Sequence, residues 1–323
     1  NLTPWPKSFT TAVSRGVKLL LDAGADVNAQ NLYGDTALHS ACESVISVKV
    51  AEQLIAAGID VNCKNNMGRT ALHSETLFYV KKIAQLMLRN GADVDIKDND
   101  QETALSVAIS AIVEYDYSQD SYIMMLLLDW GSSLYDKTEN GETLLSIALK
   151  TKCTRNVIKK YNIKLKCAKL PFIKTLDDDS NVLRSYQRKC LEEVDKMKST
   201  KFSDHSLYCV FSGCIGYLMV KELEEAITSG QIASTLPIYS SLIEGTFVKA
   251  KKRQGLLNLA KNSLIYILQN SETMRNMTIP NEIVEMILSF TDNGTLTSLI
   301  NTTRVTSTDA QSTDAQPRGS TGE

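Results

Sequence analysis

Residues 58–73 read Gly-Ile-Asp-Val-Asn-Cys-Lys-Asn-Asn-Met-Gly-Arg-Thr-Ala-Leu-His, and both ends of this stretch recur along the chain. Thr-Ala-Leu-His stands at Thr36–His39 and Thr70–His73, with degenerate copies at Thr103–Ser106 and Thr143–Ser146. The Gly-x-Asp-Val piece begins at Gly24, Gly58 and Gly91, with a degenerate copy at Gly131. Both series step by 34, 33 and 40 residues. Two independent markers that share one irregular list of steps identify an internal repeat, and a period near 33 is that of stacked helical units.

Each unit reads alike. Thr36 opens a helix whose apolar face starts at Ala37 and Leu38, with its hydroxyl available to the first-turn amides. A second helix follows at 48–57, with Val48, Ala51, Leu54 and Ile55 on one side. Gly58 sits where a helix end needs a left-handed residue. Lys64-Asn-Asn-Met-Gly68 has the composition of a tight hairpin turn.

At these residues the chain resembles the ankyrin repeat, a β-turn followed by two antiparallel helices. The resemblance covers about residues 11–160. It implies an all-α solenoid of about four units over 1–160, made of helix pairs with short β-hairpin tips, the first unit incomplete. The fourth departs from the pattern: residues 112–122 carry Glu114, Tyr115, Asp116, Tyr117 and Asp120 and account for the 40-residue step. Extra residues in a solenoid map to loops, so an acidic, tyrosine-bearing protrusion is expected there.

The bulk numbers exclude several classes. The chain has 323 residues, is 43% hydrophobic and 22% charged, and has a net charge of −2. That composition is globular and gives no electrostatic case for nucleic acid or an anionic membrane. The seven cysteines, at 42, 63, 153, 167, 190, 209 and 214, are odd in number and unpaired in spacing, which fits buried thiols in a reduced, cytoplasmic setting. The most apolar window, Leu207–Val220, is too short to cross a bilayer and reads as a buried helix.

After Lys160 the period ends. Residues 161–180 read as a linker, closing on the acidic run Asp177–Asp179, where Asp179 or Ser180 is placed to cap the next helix. Leu183, Tyr186, Cys190, Leu191, Val194 and Met197 then mark one apolar face. Helical pattern continues through 206–229 and 255–269, and Pro280 stands at a first-turn position of another helix. Residues 302–323, with Ser307–Gln311 repeated as Ser312–Gln316, cannot bury a core and are expected to be disordered.

Tyr186-Gln-x-x-Cys190-x-Glu-Glu193-Val-x-Lys-Met197-Lys198, Leu236-Pro-Ile-Tyr239 and Ile279-Pro-x-Glu-Ile-x-Glu-x-Ile-Leu288 resemble the PRANC domain, which follows ankyrin arrays in poxviruses, parasitoid wasps and some intracellular bacteria. The resemblance implies a smaller helical domain over 181–301. Its end, 278–300, is similar to a truncated F-box, the helical module that docks on Skp1 of a cullin-1 ubiquitin ligase. On that likeness Ile279, Pro280, Glu282, Ile283, Ile287 and Leu288 would form the Skp1-type contact. On spacing alone, Ile283, Ile287 and Leu288 read first as the inner face of the last helix and second as anchors for a partner groove; the resemblance reverses that order.

In the array, candidate target contacts are tip residues: Leu32, Tyr33, Asn66, Met67, Asp98, Asp100 and Asn140. His39 and His73 hold equivalent positions in successive units and read as structural hydrogen-bonding groups. His205, Cys209 and Cys214 lack the fourth ligand of a zinc site. Lys249, Lys251, Lys252 and Arg253 read as a solvated helix face. No phosphate loop, nucleophile elbow or catalytic set is present, so neither an enzyme nor a cofactor is expected. The expected function is an adaptor that captures a protein target and presents it to a Skp1–cullin-1 ligase. The alternative is a scaffold or sequestering protein with no link to ubiquitin.

Overall fold

A computed structural model describes residues 7–43, 48–78, 81–115, 121–138, 140–171, 173, 183–202, 205–211, 221–270, 284, 288 and 291–301. These fall into two compact units, Asn1–Val248 and Lys249–Glu323.

In the first unit, helices alternate between two layers. α2 (Ala37–Glu43), α4 (Ala71–Phe78), α6 (Ala104–Tyr115) and α8 (Leu144–Ala148) pack in sequence in one layer. α1 (Lys7–Asp22), α3 (Val48–Ala56), α5 (Lys81–Arg89), α7 (Ser121–Asp129) and α9 (Lys152–Cys167) pack in sequence in the other. One apolar core runs between the layers, from Leu38 and Ala51 through Leu72, Met87, Leu105 and Met124 to Ile158. The apolar spacing read from the sequence produces this directly, since each helix turns its stripe toward the partner layer.

The left-handed residue after each outer helix is observed. Gly58 has φ +86°, and the amides of Gly58 and Ile59 donate to Ile55 O and Leu54 O at 3.0 and 3.2 Å. A side chain at Cβ opposes this conformation, and the bonds satisfy carbonyls that the helix end leaves orphaned. The following Asp-Val-Asn joins neighbours, because Asn28 and Asn62 accept from the amides of Asp60 and Asp93, both at 2.8 Å.

The threonine of the repeated tetrad caps its helix in only part of the array. In the first two copies Thr36 and Thr70 instead bond the histidine three residues on, with Thr Oγ1 to His Nδ1 at 2.9 Å. In the last two, serine replaces histidine. Thr103 and Thr143 then accept from the amides of Ser106 and Ser146 at 3.3 Å, as expected of caps.

Of the segment 112–122 that accounts for the 40-residue step, both ends are helical. α6 runs twelve residues against seven in α2, and Ile112 at its end is buried. Tyr122 is half-buried at the start of α7 and accepts from Gln85 Nε2 at 3.0 Å, while burial pushes its hydroxyl up to about 12. The first and last residues of the expected protrusion thus belong to packed helices. Asp116, Tyr117 and Asp120 lie outside the described residues.

The array does not stop at 160. α9 passes through that point, with Val157 and Ile158 in the repeat core and Ile163 and Leu165 in a second core. The second core gathers α10 (Arg184–Ser199), the short pair β1 (Lys201–Phe202) and β2 (His205–Ser206), α11 (Leu207–Phe211), α12 (Lys221–Thr228), α13 (Gln231–Thr235) and the first turns of α14 (Ser240–Asn270). Leu183, Cys190, Val194 and Met197 face it as expected, whereas Leu191 is exposed. Asp179, Ser180 and much of the expected buried helix at 207–220 lie outside the described residues, and Leu183 precedes α10 without a side-chain cap. In the second unit Ala260, Val284, Leu288, Leu296 and Ile300 form a small core. Asp292 caps the helix over 293–301 by accepting from Thr295 N at 2.9 Å.

Candidate functional site

The tips are built from four positions. At the first, Asn31, Asn65 and Asp98 each accept from the amides two and four residues on: Tyr33 and Asp35, Met67 and Arg69, Asp100 and Glu102, all within 2.8–3.0 Å. These side-chain turns reinforce the tight backbone turns expected from the sequence, in which the amides of Asn31, Asn65 and Asp98 also donate across the tip to Asp35 O, Arg69 O and Glu102 O at 2.9–3.0 Å. The charge at Asp98 is met by Arg69, whose Nε donates to Asp98 Oδ2 at 3.0 Å. Asp98 is therefore 3% exposed and holds its tip together, although it was expected among the target contacts.

The second position stitches tips to one another. Asn66 donates through its amide to Tyr33 O and through Nδ2 to Leu32 O, and Asn99 repeats both bonds on Met67 O and Asn66 O, all at 3.0 Å. Asn66 is thus committed to the neighbouring tip. Leu32 occupies this position in the first tip and is 95% exposed.

The third position projects outward. Tyr33 and Met67 are 75% and 62% exposed, and Asp100 and Asn140 are exposed at the same place in the next two units. Of the candidate target contacts, these four form one row, with Leu32 beside its first member. The row is apolar at its start and polar at its end. Aromatic and Met residues on a surface of this kind suit protein contact.

The fourth position decides how closely tips stack. Gly34 and Gly68 have φ +76° and +75°, and a Cβ on either would stand 2.5 Å from the next tip's asparagine Oδ1. Gln101 holds this place in the third tip, left-handed at φ +60° but with a Cβ. A cavity of about 240 Å³ opens there, lined by Asp100, Gln101, Glu102, Asp136, Asn140 and Glu142. Tips one to three are stitched; beyond Gln101 the row opens into an acidic cleft. The Gly-Gly-Gln-Gly series at 34, 68, 101 and 141 carries this signal in the sequence, where it was missed.

Both repeat histidines, His39 and His73, use both ring nitrogens. His39 Nδ1 accepts from Thr36 N at 3.2 Å, so Nε2 carries the proton and donates to Arg69 O at 3.0 Å. His73 is bound the same way to Thr70 and Glu102 O. Burial is the main cause of a lowered His73 pKa, and it outweighs the Glu102 carbonyl and nearby Asp98.

Beyond the array, a buried polar network joins three stretches of sequence. Lys164 Nζ lies 2.6 Å from Asp129 Oδ1, and both side chains are buried. Tyr239 Oη donates to Lys164 O at 2.8 Å, and its ring lies 5.5 Å from Lys164 Nζ. Glu193 accepts from the amides of Ile238 and Tyr239 at the entry to α14. Two of the motifs read from the sequence, at 186–193 and 236–239, thus meet as one packed unit.

The proposed Skp1-type residues Ile279, Pro280, Glu282, Ile283 and Ile287 lie outside the described residues. Leu288 is described, and at 3% exposed it packs in the small core of the second unit. Cys209 is half-buried and in no disulfide, while Cys214 and the side chain of His205 lie outside the described residues. Arg253 of the basic cluster donates to Asn293 Oδ1 and Thr291 O at 2.7 and 2.8 Å. Among the described residues, no helix is long and apolar enough to cross a membrane.

Comparison with protein families agrees with this architecture. A family model for ankyrin repeats in three copies matches residues 9–76 and again 47–118. A model for the PRANC domain matches 202–301, so the motif at 186–198 lies ahead of it. No curated protein matches the chain. Ankyrin repeats are protein-interaction modules and PRANC is an F-box-like domain. The chain is an ankyrin-repeat protein that carries a PRANC domain behind the array.

Proposed function

We propose that the protein is an adaptor: its tip row captures a protein target, and its PRANC segment offers that target to a Skp1–cullin-1 ubiquitin ligase in the cytoplasm. The observation that carries the reading is the succession of modules, an interaction array followed by an F-box-like domain. Tyr33, Met67 and Leu32 supply the exposed apolar surface that target capture needs. No catalysis is asked of the chain. Its contribution is effective concentration, holding a target lysine near a charged conjugating enzyme.

A pull-down of the intact chain with purified Skp1 tests this. Retention is expected, and the double substitution Ile283→Asp with Ile287→Asp should abolish it while the array stays folded. An intact chain that retains no Skp1 refutes the adaptor reading. One observation favours the second reading, a scaffold or sequestering protein: Leu288 is turned into its own core. That reading predicts target capture by the tips without Skp1.

A further inference from the structure

A cavity of about 510 Å³ opens in the first unit, where α5, α7 and α9 face α10, α13 and the turn into α14. Met125 and Ile238 stand among its apolar walls, and Arg89, Tyr122, Lys160 and Ser241 bring polar groups to it. Its size lies within the roughly 300–1,000 Å³ of small-molecule sites, and such sites favour the seam between two packed modules.

Two of its three charged lining groups are held in ion pairs. Arg89 grips buried Glu244 through Nε and Nη2, at 3.1 and 2.8 Å, which uses one edge of the guanidinium. Asp129 is paired with Lys164. Lys160 is the remaining charged lining group; its exposed ammonium lies 5.9 Å from the centre of the Tyr186 ring, while the Glu193 carboxylate behind the wall is taken up by the amides of Ile238 and Tyr239. A cation held over an aromatic face beside apolar walls suits a ligand with one negative charge and an apolar body.

We propose that this cavity binds a small organic monoanion, a carboxylate on an aryl or alkyl body, with Lys160 meeting the carboxylate and Met125 and Ile238 meeting the body. An uncharged analogue loses the ammonium contact. Inorganic phosphate finds no apolar match and a single lining cation outside an ion pair.

Calorimetric titration of the full chain with 4-phenylbutyrate, 4-phenylbutyramide and inorganic phosphate tests the assignment. The acid should bind about five-fold more tightly than the amide, which corresponds to one partly exposed charge contact. Phosphate should bind more weakly than the acid. Lys160→Gln should reduce the acid to the level of the amide, and Ala233→Trp, at the cavity wall, should block both. Equal affinities for acid and amide, an unaltered Lys160→Gln, or no binding of the acid at millimolar concentration overturns the proposal. If Ala233→Trp does not fold, hydrogen exchange on the unsubstituted chain locates the site. Protection by the acid must appear in α5, α7 and α13, and protection elsewhere refutes it.

Discussion

Gly34→Ala tests how the tips are held. Two effects add. The residue has φ +76°, where an L side chain costs about 1–2 kcal/mol. The new Cβ would also stand 2.5 Å from Asn66 Oδ1 and 2.7 Å from Asn66 N, so the second tip must withdraw. Withdrawal breaks the bonds from Asn66 to Tyr33 O and Leu32 O. For exposed hydrogen bonds at the low end of the usual range, their loss adds about 1 kcal/mol. Gly24→Ala is the control: φ is +83°, but nothing lies within 4 Å of the added carbon, so only the backbone cost applies. In urea denaturation followed by far-ultraviolet circular dichroism, Gly34→Ala should be the less stable by about 1 kcal/mol. That moves the midpoint by roughly 0.3–1 M relative to Gly24→Ala. Coincident midpoints would refute the argument that tip stacking, beyond left-handed strain, requires glycine here. Gln101→Gly should act oppositely, raising the midpoint by up to about 1 kcal/mol in stability.

Three further outcomes follow, two from buried groups and one from the exposed row. Lys164→Met leaves Asp129 buried without its partner and should cost about 3–5 kcal/mol in a thermal melt, whereas Lys164→Met with Asp129→Leu should recover most of the loss. That recovery is expected because burial outweighs Lys164 and holds the Asp129 carboxyl above its usual range, so the pair is not a net source of stability at neutral pH. His73 has its folded pKa below its unfolded value of about 6.5, so the unfolded chain binds more protons. Its contribution is complete above that pH and is lost as pH falls through and below it; His73→Gln should flatten this part of a stability–pH curve. Met67→Ser, on the exposed row, should leave the melt unchanged while weakening capture of the target by about 1 kcal/mol or more.

Much of the fold was legible before the structure. The period, the helix pairs and the left-handed Gly58 follow from local pattern and backbone sterics. Those effects act within a few residues and leave direct marks in the sequence. The tips were legible as places and misread as residues. Asp98 and Tyr33 both occur in polar turns, but one is consumed by Arg69 and two amides while the other projects outward.

What the sequence determined by itself was a stack of two-helix units ending in a domain of another kind, because apolar spacing and turn residues encode periodicity directly. Only the tertiary structure decided which side chains face a partner. That choice rests on contacts made only by packing: Asn66 on the tip before it, Asp98 on Arg69 of the repeat before it, Leu288 in its own core. It also decided that α9 belongs to two cores at once, with Lys164, Tyr239 and Glu193 locking the array to the helices that follow. Groups that meet only when the chain is packed have no fixed spacing, so no periodicity announces them.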